Sequence, residues 1–301
     1  MNDELWDKNN LVCYLKQNGL WAQKGLSQNF LINKNALNKI VEAAEIKPDD
    51  LIIEIGPGTG ILTTELIKRA GEVIAIEQDE KLAGLLPEMT KSKLQISNKI
   101  QNDKNLKIIN SDILKVNLNE LIGERKYKVV ANIPYHITSK ILELFLSREN
   151  RPELLVLLVQ KEVAERICAT EGEMSVLSIS VQLYGKPEII DIVPKESFYP
   201  SPKVDSAILK IGIMNYESGI MESNKGDKSA IDEKAFFRLV HIGFAARRKT
   251  LVNNLSAGYH ISKETASDII KSAGLKENVR AQELGISKWR ELCLKVTRKT
   301  T

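Results

Sequence analysis

The chain has 301 residues, 43% of them hydrophobic and 27% charged, with a formal net charge of +4. That suits one large or two ordinary globular domains with a buried core. It leaves little room for a membrane span, because the longest apolar run near the middle, Leu154 to Val159, is far too short. Cys13, Cys168 and Cys293 are scattered and odd in number, which fits a reduced, cytoplasmic setting better than a disulfide framework or a zinc site. The start, Met1-Asn2-Asp3-Glu4, is acidic and without an apolar stretch, so no secretory leader is expected.

In chain order, residues 1–30 read as a polar, helical lead-in. From Leu51 the pattern becomes βα units. Short apolar strands are expected at Leu51 to Ile55, Val73 to Glu77, Leu106 to Ile109, Lys128 to Ala131 and Leu154 to Val159. Helical periods fall between them, at Ile61 to Ala70 and Thr138 to Leu146. This alternation predicts an α/β fold, a Rossmann-like, doubly wound, mainly parallel sheet covered on both faces. Residues 88–105 read as a polar surface insertion and 213–232 as a turn-rich linker. After it only helical periods follow, with Phe236, Phe237, Val240 and Phe244 at helical spacing, then Lys263 to Lys271 and Lys288 to Val296. The predicted domains are therefore 1–212, the linker, and a small all-helical domain at 233–301. That last segment holds 14 Lys/Arg against 6 Asp/Glu, a net +8, which leaves −4 for the rest. Such asymmetry points either to a polyanionic partner or to a solvated helical surface.

Three strand ends carry candidate chemistry. Gly56-Pro57-Gly58-Thr59-Gly60 follows one strand and opens a helix, an arrangement that lets backbone N–H groups approach a nucleotide-like ligand. Ile61 stands where a dinucleotide fingerprint needs glycine, which disfavours a NAD-dependent oxidoreductase. Glu77 ends the next strand, where a carboxylate can accept from both ribose hydroxyls. Together they favour S-adenosylmethionine over a pyrophosphate cofactor. Asp112, after the third strand, can accept from an adenine amino group or form an Asx turn or helix cap.

The fourth strand ends in Asn132-Ile133-Pro134-Tyr135. An exocyclic adenine amine is a poor nucleophile, so a site that methylates it must hold both its hydrogens and aim its nitrogen. The Asn132 amide oxygen and the Ile133 carbonyl, turned inward by Pro134, supply two acceptors. Tyr135 supplies a face on which an extruded base can stack. The donor is already activated, so alignment does most of the work and no metal is called for. His136, His241 and His260 are too far apart in sequence to suggest a ligand set.

These stretches resemble the ribosomal RNA adenine dimethyltransferase family, most closely its KsgA/RsmA-type, small-subunit branch. The resemblance runs through Gln28-Asn29-Phe30-Leu31, Glu54 to Gly60, Ser111 to Leu114, Asn132 to Tyr135, Gln160 to Arg166, Phe198 to Ser206 and Arg247 to Leu251. It implies a class I methyltransferase fold and S-adenosylmethionine enclosed by Asn29, Leu31, Gly56, Gly58, Glu77, Asp112 and Asn132. It implies two methyl groups placed on N6 of each of two adjacent adenines near the 3′ end of small-subunit rRNA. The implied partner is the pre-30S particle and the implied state a monomer. Phe198 would be a second aromatic wall of the base pocket. Arg238, Arg247, Arg248 and Lys249, read as part of one helical face, would neutralise RNA phosphates. Ser27 stands where this branch has glycine and Erm-type large-subunit methylases often have serine, so the Erm-type reading is the alternative. A ribosome-assembly factor with secondary catalysis is another.

Overall fold

The computed structural model describes residues 5, 7–21, 28–96, 105–214 and 232–300. Ser27 and most of the expected linker lie outside the described residues, as do 97–104 of the expected insertion. The first part of that insertion is instead the end of a helix, because the period of the preceding helix runs on to Ile96.

The chain forms two compact units, 1–164 with 187–213, and 165–186 with 214–301. In the first, α1 (Lys8–Gln17) is capped by the Asp7 carboxylate, which accepts from the Asn9 and Asn10 amides. A two-residue strand β1 (Phe30–Leu31) and α2 (Lys34–Ala43) precede the sheet. The βα units then run β2 (Leu51–Ile55), α3 (Ile61–Ile67), β3 (Glu72–Glu77), α4 (Glu80–Ile96), β4 (Leu106–Asn110), α5 (Leu118–Ile122), β5 (Lys128–Asn132), α6 (Thr138–Leu146) and β6 (Leu154–Gln160). After α7 (Lys161–Ile167) and α8 (Val176–Gln182) come β7 (Gly185–Val193), the short β8 (Phe198–Tyr199) and β9 (Ser206–Ile213).

The seven-stranded sheet has the order β4-β3-β2-β5-β6-β9-β7. Its first five strands are parallel, and β9 runs antiparallel to β6. Every residue of β2 and all but the last of β6 are buried, as expected of strands covered on both faces. The order reverses at β2, with β3 on one side and β5 on the other. The crevice outside the carboxyl ends of these strands is where such a sheet takes a ligand.

The opposite end of the sheet is held by charge. Lys128, at the start of β5, donates to Asp50 Oδ2 at 2.7 Å and to the Glu45 carbonyl at 2.6 Å, with both side chains largely buried.

The second unit is helical: α9 (Glu233–Phe244), α10 (Leu251–Tyr259), α11 (Lys263–Ser272) and α12 (Ile286–Thr300). Phe236, Leu239, Leu255, Ile269, Ile270 and Trp289 are fully buried in it. Gly243 is required there, since a Cβ would lie 2.3 Å from the Trp289 ring. Residues 165–186, inside the segment 1–212, belong to this unit; the Gly172 and Met174 amides both donate to the Gln282 carbonyl.

Lys128→Met keeps the apolar stem but strands Asp50 without its charge partner. It is expected to cost about 3 kcal/mol of stability, read from urea denaturation at neutral pH.

Candidate active site

A single cleft gathers the ends of β2, β3 and β5, the turn after β4, and the segment 28–31. The glycine loop turns sharply after β2, with Gly56 and Gly58 at φ of +65° and +55°. A Cβ on Gly58 would also lie 3.2 Å from the Phe30 ring, so only glycine fits there. The loop delivers the chain to the N-terminus of α3, whose first N–H groups lack intrahelical partners.

Glu77 locks this loop to the next strand end. Its Oε2 accepts from the Gly58 N–H at 3.1 Å and its Oε1 from the Asp79 N–H at 2.9 Å. Each oxygen keeps a second lone pair, so the carboxylate can still accept two ligand hydroxyls. Burial raises its pKa, partly offset by those two amide bonds. Asp79 in turn accepts from the Gln28 amide at 3.2 Å, which ties the segment 28–31 to the same corner. Asp112 does serve as a cap: its Oδ1 accepts from the Leu114 N–H at 3.0 Å. The residue also lines the cleft, so its second oxygen can serve a ligand.

Asn132 donates its Nδ2 to the Asn29 carbonyl at 3.1 Å. That bond uses one N–H of the NH2 group and orients the amide so that its oxygen can accept. Pro134 keeps extended geometry, φ −57° and ψ 129°, and carries the chain into a 3-10 turn at Tyr135–Ile137. Asn132, Ile133, Pro134 and Tyr135 all line the cleft.

The structure thus brings together Asn29, Leu31, Gly56, Gly58, Glu77, Asp112, Asn132, Ile133, Pro134 and Tyr135. Phe198 pairs with Leu31 in a two-stranded ladder, is 3% exposed and belongs to the same apolar cluster as the cleft residues Phe30, Leu31 and Leu62. The basic cluster differs from its expected helical face. Arg247, Arg248 and Lys249 are exposed and lie in the turn between α9 and α10, because α9 ends at Phe244 and α10 begins only at Leu251. Among the described residues none of the three makes an ion pair. Arg238 is exposed but stacks on Tyr259, 5.1 Å from the ring centre.

Glu54 is the cleft residue that motif reading left without a role. Its signal was an acid inside the otherwise apolar strand Leu51-Ile52-Ile53-Glu54-Ile55. The carboxyl is buried, and among the described residues neither oxygen meets hydrogen-bond geometry; Thr63, through its hydroxyl and backbone N–H, is the polar residue beside it. Burial pushes its pKa up to about 8, with the Thr63 hydroxyl opposing and the Glu77 charge reinforcing the rise.

Among the described residues the cleft lining holds three carboxyls, from Glu54, Glu77 and Asp112, and no Lys, Arg or His. A crevice lined by carboxyls, with Glu54 held neutral by burial, suits a nucleoside donor and, among the described residues, offers no cation to a pyrophosphate. With the strand order and the antiparallel β9, it defines a class I methyltransferase.

The model of the ribosomal RNA adenine dimethylase family matches residues 20–294, and the chain belongs to that family. It is 46% identical over 279 residues to the ribosomal RNA small subunit methyltransferase A of Dehalococcoides mccartyi, covering 92% of this chain and 89% of that one. To the enzyme of the same name from Alkaliphilus metalliredigens it is 38% identical, with 91% of each chain covered. Among solved structures, a dimethyladenosine transferase from Plasmodium falciparum superposes with a TM-score of 0.72 at 27% identity, covering 90% of this chain and 98% of that one. The 23S rRNA methyltransferase ErmE gives 0.69 at 26%, covering 89% and 100%.

Glu54 sets a pH test. The folded state holds a proton that the unfolded state releases above pH 4.5, so this group's contribution to stability falls as pH rises to about 8 and is level beyond. Glu54→Gln cannot titrate. Its stability relative to the parent is expected to improve by a few kcal/mol, roughly, between pH 5 and pH 8, read from urea denaturation at both.

Proposed function

We propose that the chain dimethylates N6 of two adjacent adenines near the 3′ end of small-subunit rRNA, with S-adenosylmethionine as donor. The observation that carries this reading is the pairing of an acid-lined cleft with Asn132, whose amide oxygen is left to accept beside Tyr135. The donor, when bound, supplies a methyl group on a positively charged sulfur.

The chain's own residues do the rest. Gly56 and Gly58 let the loop backbone approach the donor. Glu77 receives the ribose hydroxyls on its remaining lone pairs, and Asp112 the adenine amino group. Asn29, Leu31 and Asn132 close the other side. The flipped target adenine stacks on Tyr135, while Asn132 Oδ1 and the Ile133 carbonyl hold its two amine hydrogens. Phe198 forms a second aromatic wall of the base pocket. Arg247, Arg248 and Lys249 offer exposed cations for RNA phosphates, and Arg238 adds a further exposed one. RNA shape and the flipped base then provide selectivity.

The relevant substrate is the immature small-subunit particle, in the cytoplasm, and the working unit is a monomer. Identity of 46% with a small-subunit enzyme, against 26% with ErmE, supports the small over the large subunit.

Incubation of labelled S-adenosylmethionine with immature small and large ribosomal particles tests this. Label is expected in dimethyladenosine of the small-subunit RNA. Label confined to large-subunit RNA would retain the chemistry and overturn the substrate.

A further inference from the structure

One residue of the Phe198 to Ser206 stretch has no part in the site as described. Ser206, the first residue of β9, is fully buried and sits opposite Gln160 at the end of β6. Its hydroxyl lies 2.6 Å from the Tyr135 hydroxyl. The tyrosine that borders the cleft is thereby moored at its far end. The mooring point is itself fixed. The Asp205 carbonyl accepts from the Lys161 N–H at 3.0 Å, at the start of α7, and the Asp205 carboxylate accepts from the Lys195 N–H at 3.0 Å. Tyr135 is also held at its backbone end, where its carbonyl accepts from the Thr138 hydroxyl at 3.0 Å.

A dimethylating site has an internal problem. In the first round the adenine amine presents two N–H groups to two acceptors, Asn132 Oδ1 and the Ile133 carbonyl. A carbon–nitrogen bond forms to the methyl group. The methyl–sulfur bond breaks with its electron pair staying on sulfur, and one proton leaves N6 for water. In the second round the amine has a single N–H left, and one acceptor faces a methyl group. Half of the directional grip is gone, and the base depends more on the face it stacks on.

We propose that Ser206 is a positioning residue for the second methyl transfer, holding the Tyr135 ring at the depth that aligns the monomethylated adenine. The inference rests on the base-pocket reading above. Loosening the ring then penalises the second transfer more than the first, and product composition shifts toward the monomethylated base.

The test uses the full chain, immature small-subunit particles and S-adenosylmethionine, with mono- and dimethyladenosine quantified by mass spectrometry. Ser206→Ala removes one side of the bond and Tyr135→Phe the other while keeping the ring. Each is expected to raise the ratio of mono- to dimethylated product about fivefold, the equivalent of one ordinary hydrogen bond. The double variant is expected to match either single one, because both delete the same contact. An unchanged ratio in both single variants, or effects that multiply in the double, would overturn the role of Ser206 while leaving the base pocket standing. Absence of any N6-methylated adenine with the parent chain would overturn both.

Discussion

The Glu77 carboxylate is the joint on which the site depends. It is 6% exposed and holds the Gly58 N–H from one strand end and the Asp79 N–H from the next. That clamp joins the backbone bonds from the Gly56 N–H to the Ile76 carbonyl and from the Gly60 N–H to the Pro57 carbonyl in fixing the glycine loop, with its run of left-handed backbone. Through Asp79 and Gln28 the same corner steadies the segment that covers the cleft, and through Asn29 that segment reaches Asn132. Donor side and base side are therefore one connected arrangement, built at the edge where three parallel strands end.

Glu54 runs against the usual rule that buried charge is partnered. Its carboxyl lies beside Thr63 in the first turn of α3 without a well-formed hydrogen bond among the described residues, and burial keeps it protonated near neutrality. A neutral Glu54 lets the strand stay buried on both faces beneath the glycine loop. The stability cost of the acid is concentrated at the functional edge, where departures from local rules are expected.

Much of this was legible in the sequence because parallel strands buried on both faces are short apolar runs with little else to be. The six-residue run Leu154 to Val159 and the helix Thr138–Leu146 fall where periodicity put them. The glycine loop, Glu77, Asp112 and Asn132 meet in space because each follows a strand of the same sheet. What was not legible depends on contacts far apart in the chain. The two-residue ladder joining Phe30 and Leu31 to Tyr199 and Phe198 has no period to detect, and it sets Phe198 beside Leu31. The antiparallel strand β9 looks locally like any alternating segment. Only its pairing with β6 brings Ser206 to Tyr135. The basic triplet suggested a helical face, but α9 ends at Phe244 and α10 begins at Leu251, which leaves the triplet in the turn between them.

The central claim is that the Asn132 amide oxygen holds and aims the target amine. Single-turnover methyl transfer to small-subunit particles by Asn132→Ala, alongside RNA binding and thermal unfolding, tests it most directly. The account expects transfer to fall by at least about a hundredfold, on the scale of losing a group that fixes a near-attack geometry, with fold and RNA affinity retained. Turnover near that of the parent chain would contradict it.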